Sequence, residues 1–201
     1  MTASITRAQL LSRSAKGGAA LLVAGSALSQ FVEAATADPL PGSDLAYARL
    51  LVGAELLASD FYAQAVAAAN TKPGVVKHLK HAYANEQEHY KSVAGIISGA
   101  GQTPAVPGDI DFSYPKGTFA TQKSILKFAQ QLEATMLGAY LGAIGGIQTN
   151  ALKTGLAQIA ACEAQHSAYF NAALGGRTFN LAFPLALTID QASNALDAYT
   201  A

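Results

Sequence analysis

Apolar residues recur every three to four positions along four long stretches of the chain, a spacing that predicts amphipathic helices. Ser43 and Asn150 are the predicted N-caps of the first and fourth stretches, and Pro73 is predicted in the first turn of the second. A shorter helix is expected after Thr188. The five predicted helices cover about residues 43–70, 73–99, 120–147, 150–175 and 189–199.

The connections between these helices predict how they are arranged. Short turns near residues 71–74 and 148–149 favour two antiparallel hairpins. Residues 101–118, between the hairpins, hold three prolines and no helical periodicity. Fully extended, this loop reaches about 60 Å, which exceeds the length of about 39 Å of a helix of about 26 residues. The pattern therefore predicts an all-α chain, a four-helix bundle with one long crossover and a short C-terminal helix.

Composition favours a packed domain and excludes several functions. Apolar residues make up 51% of the chain and charged residues 13%, which supports a sizeable core. The net charge is zero and no basic stripe offers phosphate contacts, so we expect no nucleic-acid partner. The single cysteine, Cys162, excludes an intramolecular disulfide and any zinc or iron–sulfur site built on cysteine pairs.

Residues 1–37 have the three parts of an export signal. Basic residues precede an apolar run from Gly17 to Leu28, and a polar stretch then ends at Ala35-Thr36-Ala37. The apolar run is well short of the roughly 20 residues that cross a bilayer, so no stable membrane span is expected. The start resembles a twin-arginine signal in which Ala8 replaces the second arginine. We expect an exported protein whose domain is residues 38–201, or alternatively an N-terminal helix that is retained.

Polar residues interrupt the four apolar stripes at matching places. The first and third helices each carry a lone glutamate, and the second and fourth each carry a Glu-x-x-His pair, whose spacing puts both side chains on one helix face. Each lone glutamate lies about as many residues before its hairpin turn as the Glu-x-x-His pair of the same hairpin lies after it. In an antiparallel hairpin the two are then at the same height, so all six side chains should meet at one level of the bundle. They are Glu55, Glu86, His89, Glu133, Glu163 and His166.

Four carboxylates in an apolar core need positive charge. A buried unpaired ion is costly, and neighbouring carboxylates raise one another's pKa. Two divalent ions balance four carboxylates, and oxygen ligands with imidazole suit iron or manganese. The sequence therefore predicts two metal ions, with iron as the first choice and manganese as the second. The competing interpretation is a coincidence of surface charge, or buried Glu–His ion pairs without metal.

The two halves of the chain repeat this pattern. Glu55 and Tyr62 correspond to Glu133 and Tyr140 at an offset of 78 residues, and the Glu-x-x-His pairs correspond at an offset of 77. Such a repeat predicts similar surroundings for the two metals.

Four further polar residues are predicted to lie away from this level. Glu88 should face solvent, His78 and His81 belong to a lysine-bearing face, and Cys162 is interpreted as a plain buried thiol on a different face from Glu163.

The constellation resembles the ferritin-like superfamily of dimetal carboxylate proteins, which includes bacterioferritin, rubrerythrin and manganese catalase, and also exported bacterial ferritin-like proteins. The resemblance covers about residues 44–175. It implies that Glu55 and Glu133 are terminal ligands, one to each metal, that Glu86 and Glu163 bridge the metals, and that each histidine binds one. The lone cysteine departs from a full rubrerythrin because it excludes a rubredoxin-type domain.

The resemblance also implies roles for two tyrosines and a class of reaction. Tyr62 and Tyr140 occupy positions whose hydroxyls hydrogen-bond the ligand carboxylates, although both could instead fill the core and bond elsewhere. The implied activity is that of an oxidoreductase acting on O2 or H2O2, of ferroxidase, peroxidase or manganese-catalase type. The alternative is a metal-binding, stress-protective envelope protein with little or no turnover.

One stretch of the third helix breaks its amphipathic pattern. Residues 136–147 carry no charge on any face, and a helix that is apolar all round must be covered on all sides. Four glycines lie within it, namely Gly138, Gly142, Gly145 and Gly146. We expect the chain's own tail, residues 181–187 and the last helix, to cover part of this face and a homodimer contact to cover the rest.

Overall fold

The computed structural model describes residues 39–68, 70–178 and 181–200. Within these ranges the helices are α1 (Gly42–Ala67), α2 (Pro73–Gly99), α3 (Gln122–Gly146), α4 (Asn150–Ala173) and α5 (Ile189–Asp197). Helix α1 packs mainly on α2 and α3 mainly on α4, while α5 lies against α1 and α3. The predicted all-α fold, a four-helix bundle with a short C-terminal helix, is confirmed. The predicted leader, residues 1–37, lies outside the described residues.

Contacts across the bundle give the directions of the helices. Tyr140 of α3 bonds Glu55 of α1, and Tyr62 of α1 bonds Glu133 of α3, so these two helices run antiparallel. Because both hairpins are antiparallel as well, the crossover starts α3 parallel to α2, as predicted. Tyr114 anchors the crossover to α1, since its hydroxyl donates a 2.7 Å hydrogen bond to Asp60 Oδ2.

The predicted N-caps of α1 and α4 are wrong. Helix α1 begins at Gly42, and the hydroxyl of Ser43 donates to Asp44 rather than capping the helix. Asn150 is the first residue of α4, and Thr149 before it makes no side-chain cap. The buried carboxylate of Asp44 instead accepts 2.9 Å hydrogen bonds from the backbone amides of Gln148 and Thr149. This tertiary contact between α1 and the turn before α4 satisfies both amides. The predicted start of α5 at Thr188 is confirmed by a capping box with Gln191.

The tail covers α3 at Gly138 and Gly142. The backbone amide of Leu187 donates a 2.9 Å hydrogen bond to the carbonyl of Gly138. A Cβ added at Gly142 would lie 1.7 Å from the carbonyl oxygen of Leu187, so only glycine allows the tail to approach this closely. A Cβ at Gly145 would meet nothing within 4 Å. The predicted tail contact is therefore confirmed, while the homodimer contact stays a prediction.

Helix α1 has the length and composition of a membrane span, with a mean hydropathy of 1.2 over its most apolar window. However, 56% of that window is buried inside the bundle, as expected for a central helix. Among the described residues α1 alone passes this test, and a single such helix is weak evidence for a membrane span.

Candidate metal centre

All four long helices contribute side chains to one level of the core. The four glutamates are fully buried, and His89 is 9% exposed. The structure thus brings together the residues predicted from the sequence: Glu55 from α1, Glu86 and His89 from α2, Glu133 from α3, Glu163 and His166 from α4.

The first half of the centre surrounds the imidazole of His89. Its Nδ1 lies 2.9 Å from Glu163 Oε1, 3.2 Å from Glu86 Oε2 and 3.9 Å from Glu55 Oε2. One ligand atom from each of these four residues lies within 4.8 Å of the others, so the group could hold a metal ion.

The second half surrounds the imidazole of His166. Its Nδ1 lies 3.0 Å from Glu86 Oε1, 3.4 Å from Glu133 Oε2 and 3.4 Å from Glu163 Oε2. These four residues also form a group that could hold a metal ion. Glu86 and Glu163 belong to both groups, and each has one carboxylate oxygen near His89 and the other near His166.

Several buried polar atoms of this centre make no hydrogen bond within the described part of the chain. They are Glu55 Oε2, Glu86 Oε1, Glu133 Oε2, both carboxylate oxygens of Glu163 and His166 Nδ1. Buried polar groups are normally paired, since an unsatisfied one costs about 1–3 kcal/mol and a charged one more. Unsatisfied oxygens and nitrogens that converge in this way are the donor set of a metal site.

The electrostatics of the centre require positive charge. Burial and the nearby carboxylates of Glu86 and Glu163 raise the pKa of Glu55 well above its usual range. Burial and Glu163 raise the pKa of Glu133 to about 8. Burial opposes charge on the two imidazoles, but the adjacent Cys162 and carboxylates outweigh it and raise the pKa of His89 and of His166. Positive charge stabilises a cluster of buried carboxylates, and two divalent cations would supply it.

Two buried tyrosines hold the lone glutamates across the bundle. The hydroxyl of Tyr62 donates to Glu133 Oε1, and the hydroxyl of Tyr140 donates to Glu55 Oε1. Burial and the nearby carboxylates raise the pKa of both tyrosines, so both stay protonated donors. The hydrogen bonds to ligand carboxylates were predicted from the sequence. The sequence did not predict that each tyrosine bonds the glutamate of the other helix, because this depends on how α1 and α3 pack.

Cys162 and Asn85 were missed from the sequence. Cys162 Sγ lies 3.6 Å from Nε2 of His166, and Asn85 Nδ2 lies 3.0 Å from the same nitrogen. The interpretation of Cys162 as a plain buried thiol therefore missed its contact with His166. An i, i+4 spacing from Cys162 to His166 puts both on one helix face, and this signal could have identified the contact. Burial raises the pKa of the thiol, but the two imidazoles outweigh it and the net pKa is lowered.

The remaining polar candidates lie outside the centre, as predicted. Glu88 is exposed and pairs with Lys91 at 2.6 Å. His78 and His81 are both exposed, and the ring of His78 stacks on Tyr169 with centroids 3.9 Å apart.

Comparison with known proteins agrees with this geometry. The family model described as a ferritin-like domain matches residues 43–176, a span that contains the four long helices and all six residues of the centre. A search of curated proteins finds no match to the chain. The family match covers well over half of the sequence, and the chain belongs to the ferritin-like domain family.

Proposed function

We propose that this protein binds two iron ions, with manganese as the alternative metal, and uses them as an oxidoreductase acting on O2 or H2O2. The proposal rests on one observation: Glu86 and Glu163 each belong to both groups of residues that could hold a metal ion. Two carboxylates that face both imidazoles suit the bridging ligands of a two-metal site. Hard oxygen donors together with imidazole favour iron or manganese over the soft metals that prefer thiolate.

Some residues of the centre would bind one metal ion, and others would bind both. Glu55 with His89, and Glu133 with His166, would each serve one ion, while Glu86 and Glu163 would bind both. Bound iron or manganese supplies one-electron oxidation and reduction. Tyr62 and Tyr140 would fix the orientation of the terminal carboxylates through their hydroxyls.

Burial determines what can reach the centre. The four glutamates have no exposed surface, whereas the histidine side chains are each 11% exposed, so the surface between α2 and α4 lies nearest to the metals. Three grooves of about 310, 450 and 630 Å³ lie elsewhere on the described surface, and none is lined by any of the six residues. This arrangement suits small diatomic or peroxide substrates rather than a large organic molecule.

The same burial supports a second candidate function. Fully buried carboxylates also suit a stress-protective protein that sequesters metal with little turnover. Measurement of H2O2 consumption and of Fe(II) oxidation by O2, on protein loaded anaerobically with Fe(II) or Mn(II), separates the two. The oxidoreductase predicts repeated turnover, whereas sequestration predicts at most one turnover per bound pair. Failure to bind either metal would reject both.

We propose further that residues 1–37 direct export to the periplasm, envelope or exterior. The apolar run after the basic residues supports this assignment. Mass spectrometry of the protein from the producing cell should show a mature chain that begins near Asp38, and an intact N-terminus would contradict it.

A homodimer through α3 is the proposed assembly. Gly142 is closed off by the tail, but the space around Gly145 is open. Gly145→Leu should therefore weaken dimerisation in light scattering and leave the tail in place, whereas Gly142→Leu should loosen the tail to protease. A monomer at all concentrations in the unmodified protein would contradict the dimer.

A further inference from the structure

The two halves of the centre differ at one pair of equivalent positions. The offset of 77 residues that relates Glu86 to Glu163 and His89 to His166 also relates Asn85 to Cys162. An amide therefore stands in one half where a thiol stands in the other. Both side chains are half-buried and lie on the outer side of the imidazoles, between the centre and the surface.

The polar contacts at this place are unequal. His166 Nε2 lies 3.0 Å from Asn85 Nδ2 and 3.6 Å from Cys162 Sγ, and Asn85 Nδ2 lies 3.4 Å from that sulfur. For His89, the hydrogen-bond contact present among the described residues is at Nδ1, and the thiol of Cys162 stands at the position equivalent to Asn85. A thiol is a weak hydrogen-bond donor and a weak acceptor, whereas an amide group is strong in both roles.

The chemistry of a metal-bound imidazole makes this difference matter. In both halves Nδ1 faces the carboxylates, so Nδ1 is the ligand atom and Nε2 must carry the proton. An acceptor for that proton fixes the ring and makes Nδ1 a better ligand. Asn85 can present this acceptor to His166. Rotation of its amide by 180° exchanges Nδ2 and Oδ1 and places Oδ1 toward Nε2.

Resting on the proposed two-metal site, we propose that Asn85 is a positioning residue for His166, and that the exchange of amide for thiol makes the two metal positions unequal in affinity. The position served by His166, Glu133 and the two shared glutamates is the tighter one. The position served by His89 and Glu55 fills second, because a thiol stands there at the position where His166 has the amide of Asn85.

Calorimetric titration of metal-free protein with Mn(II), without oxygen, tests this inference. The unmodified protein should bind two Mn(II) ions in resolved steps, and Asn85→Ala should weaken the first step by about 10- to 100-fold, the effect of losing such a partner. Asn85→Asp keeps an acceptor oxygen and should restore the tight step. Cys162→Asn gives His89 an amide and should bring the two affinities together, while Cys162→Ala, which adds no acceptor, serves as the control.

The possible results separate this inference from the proposed function. Two Mn(II) ions bound with equal affinity, or an Asn85→Ala variant with an unchanged first step, would overturn the inference and leave the two-metal site intact. Absence of Mn(II) and Fe(II) binding in the unmodified protein would overturn both. Thermal unfolding of the metal-free variants checks that each still folds, and a loss of affinity that Asn85→Asp does not restore counts against a positioning role.

Discussion

Asp44 and the four glutamates of the metal centre are all fully buried, yet their surroundings differ. Asp44 accepts hydrogen bonds from two backbone amides and the hydroxyl of Ser43, and these outweigh burial and lower its pKa. The glutamates leave five carboxylate oxygens unsatisfied, and burial raises the pKa of Glu55 and Glu133. One site is complete within the fold, and the other needs cations from outside. The state of the hydrogen bonds, more than burial, separates a structural carboxylate from a functional one.

The largest expected effect is on metal content. Glu86→Ala should lose both metals, because its carboxylate faces both halves of the centre and offsets repulsion between the cations. Glu55→Ala should keep about one metal, since Glu55 belongs to one group only. Elemental analysis after anaerobic loading measures this, with the exposed Glu88→Ala as control. Equal losses in the Glu86 and Glu55 variants would reject the difference between shared and terminal carboxylates.

The second effect is on stability. Removal of the metals should lower the free energy of unfolding by about 4 kcal/mol for each site, when the free metal concentration is about 1,000 times the Kd of that site. Denaturant unfolding with and without Fe(II) or Mn(II) checks the value. Asp44→Asn should show the same dependence on metal, because Asp44 makes its hydrogen bonds to the turn before α4 and none to the centre. A variant that no longer responds to metal would show that the two sites are coupled.

The third effect concerns Asp44 itself. Asp44→Asn should destabilise the bundle by about 1–3 kcal/mol, because one amide of Gln148 or Thr149 then faces an NH2 group and stays unsatisfied. The pKa of Asp44 is lowered in the folded state, so its contribution is present above its unfolded pKa of about 3.9 and is lost as pH falls through the folded value. The stability difference between the two proteins should therefore be constant near neutral pH and shrink below about pH 4. A difference that grows on acidification would contradict the lowered pKa.

The smallest effect should come from the tyrosines. Tyr62→Phe removes the hydrogen bond to Glu133 and should weaken binding of the metal beside His166 by about tenfold, the lower limit for loss of an outer partner. Tyr140→Phe should weaken the other metal, because it bonds Glu55. Stepwise Mn(II) titration of both variants measures the pairing. If both variants weakened the same binding step, the pairing of Tyr62 with Glu133 and of Tyr140 with Glu55 would be contradicted.

Much of this protein follows from its sequence. The apolar periodicity identified the four long helices because each must bury one stripe, and the i, i+3 spacing identified the Glu-x-x-His pairs because 3.6 residues complete a turn. Equal distances from the turns were enough to bring Glu55 and Glu133 level with those pairs. The glycines of α3 indicated a close neighbour, and the tail at Leu187 is that neighbour.

The tertiary structure alone decided which atoms meet. The caps predicted at Ser43 and Asn150 failed because the hydroxyl of Ser43 bonds Asp44 and α4 already begins at Asn150. The bonds from Gln148 and Thr149 to Asp44, more than 100 positions away in the chain, were not predicted. The contacts of Asn85 with His166 and Cys162 depend on how α2 and α4 face each other. Helical periodicity defines the face on which a residue lies, but hydrogen bonds have ranges of about 3 Å, and only the packed distances between helices determine them.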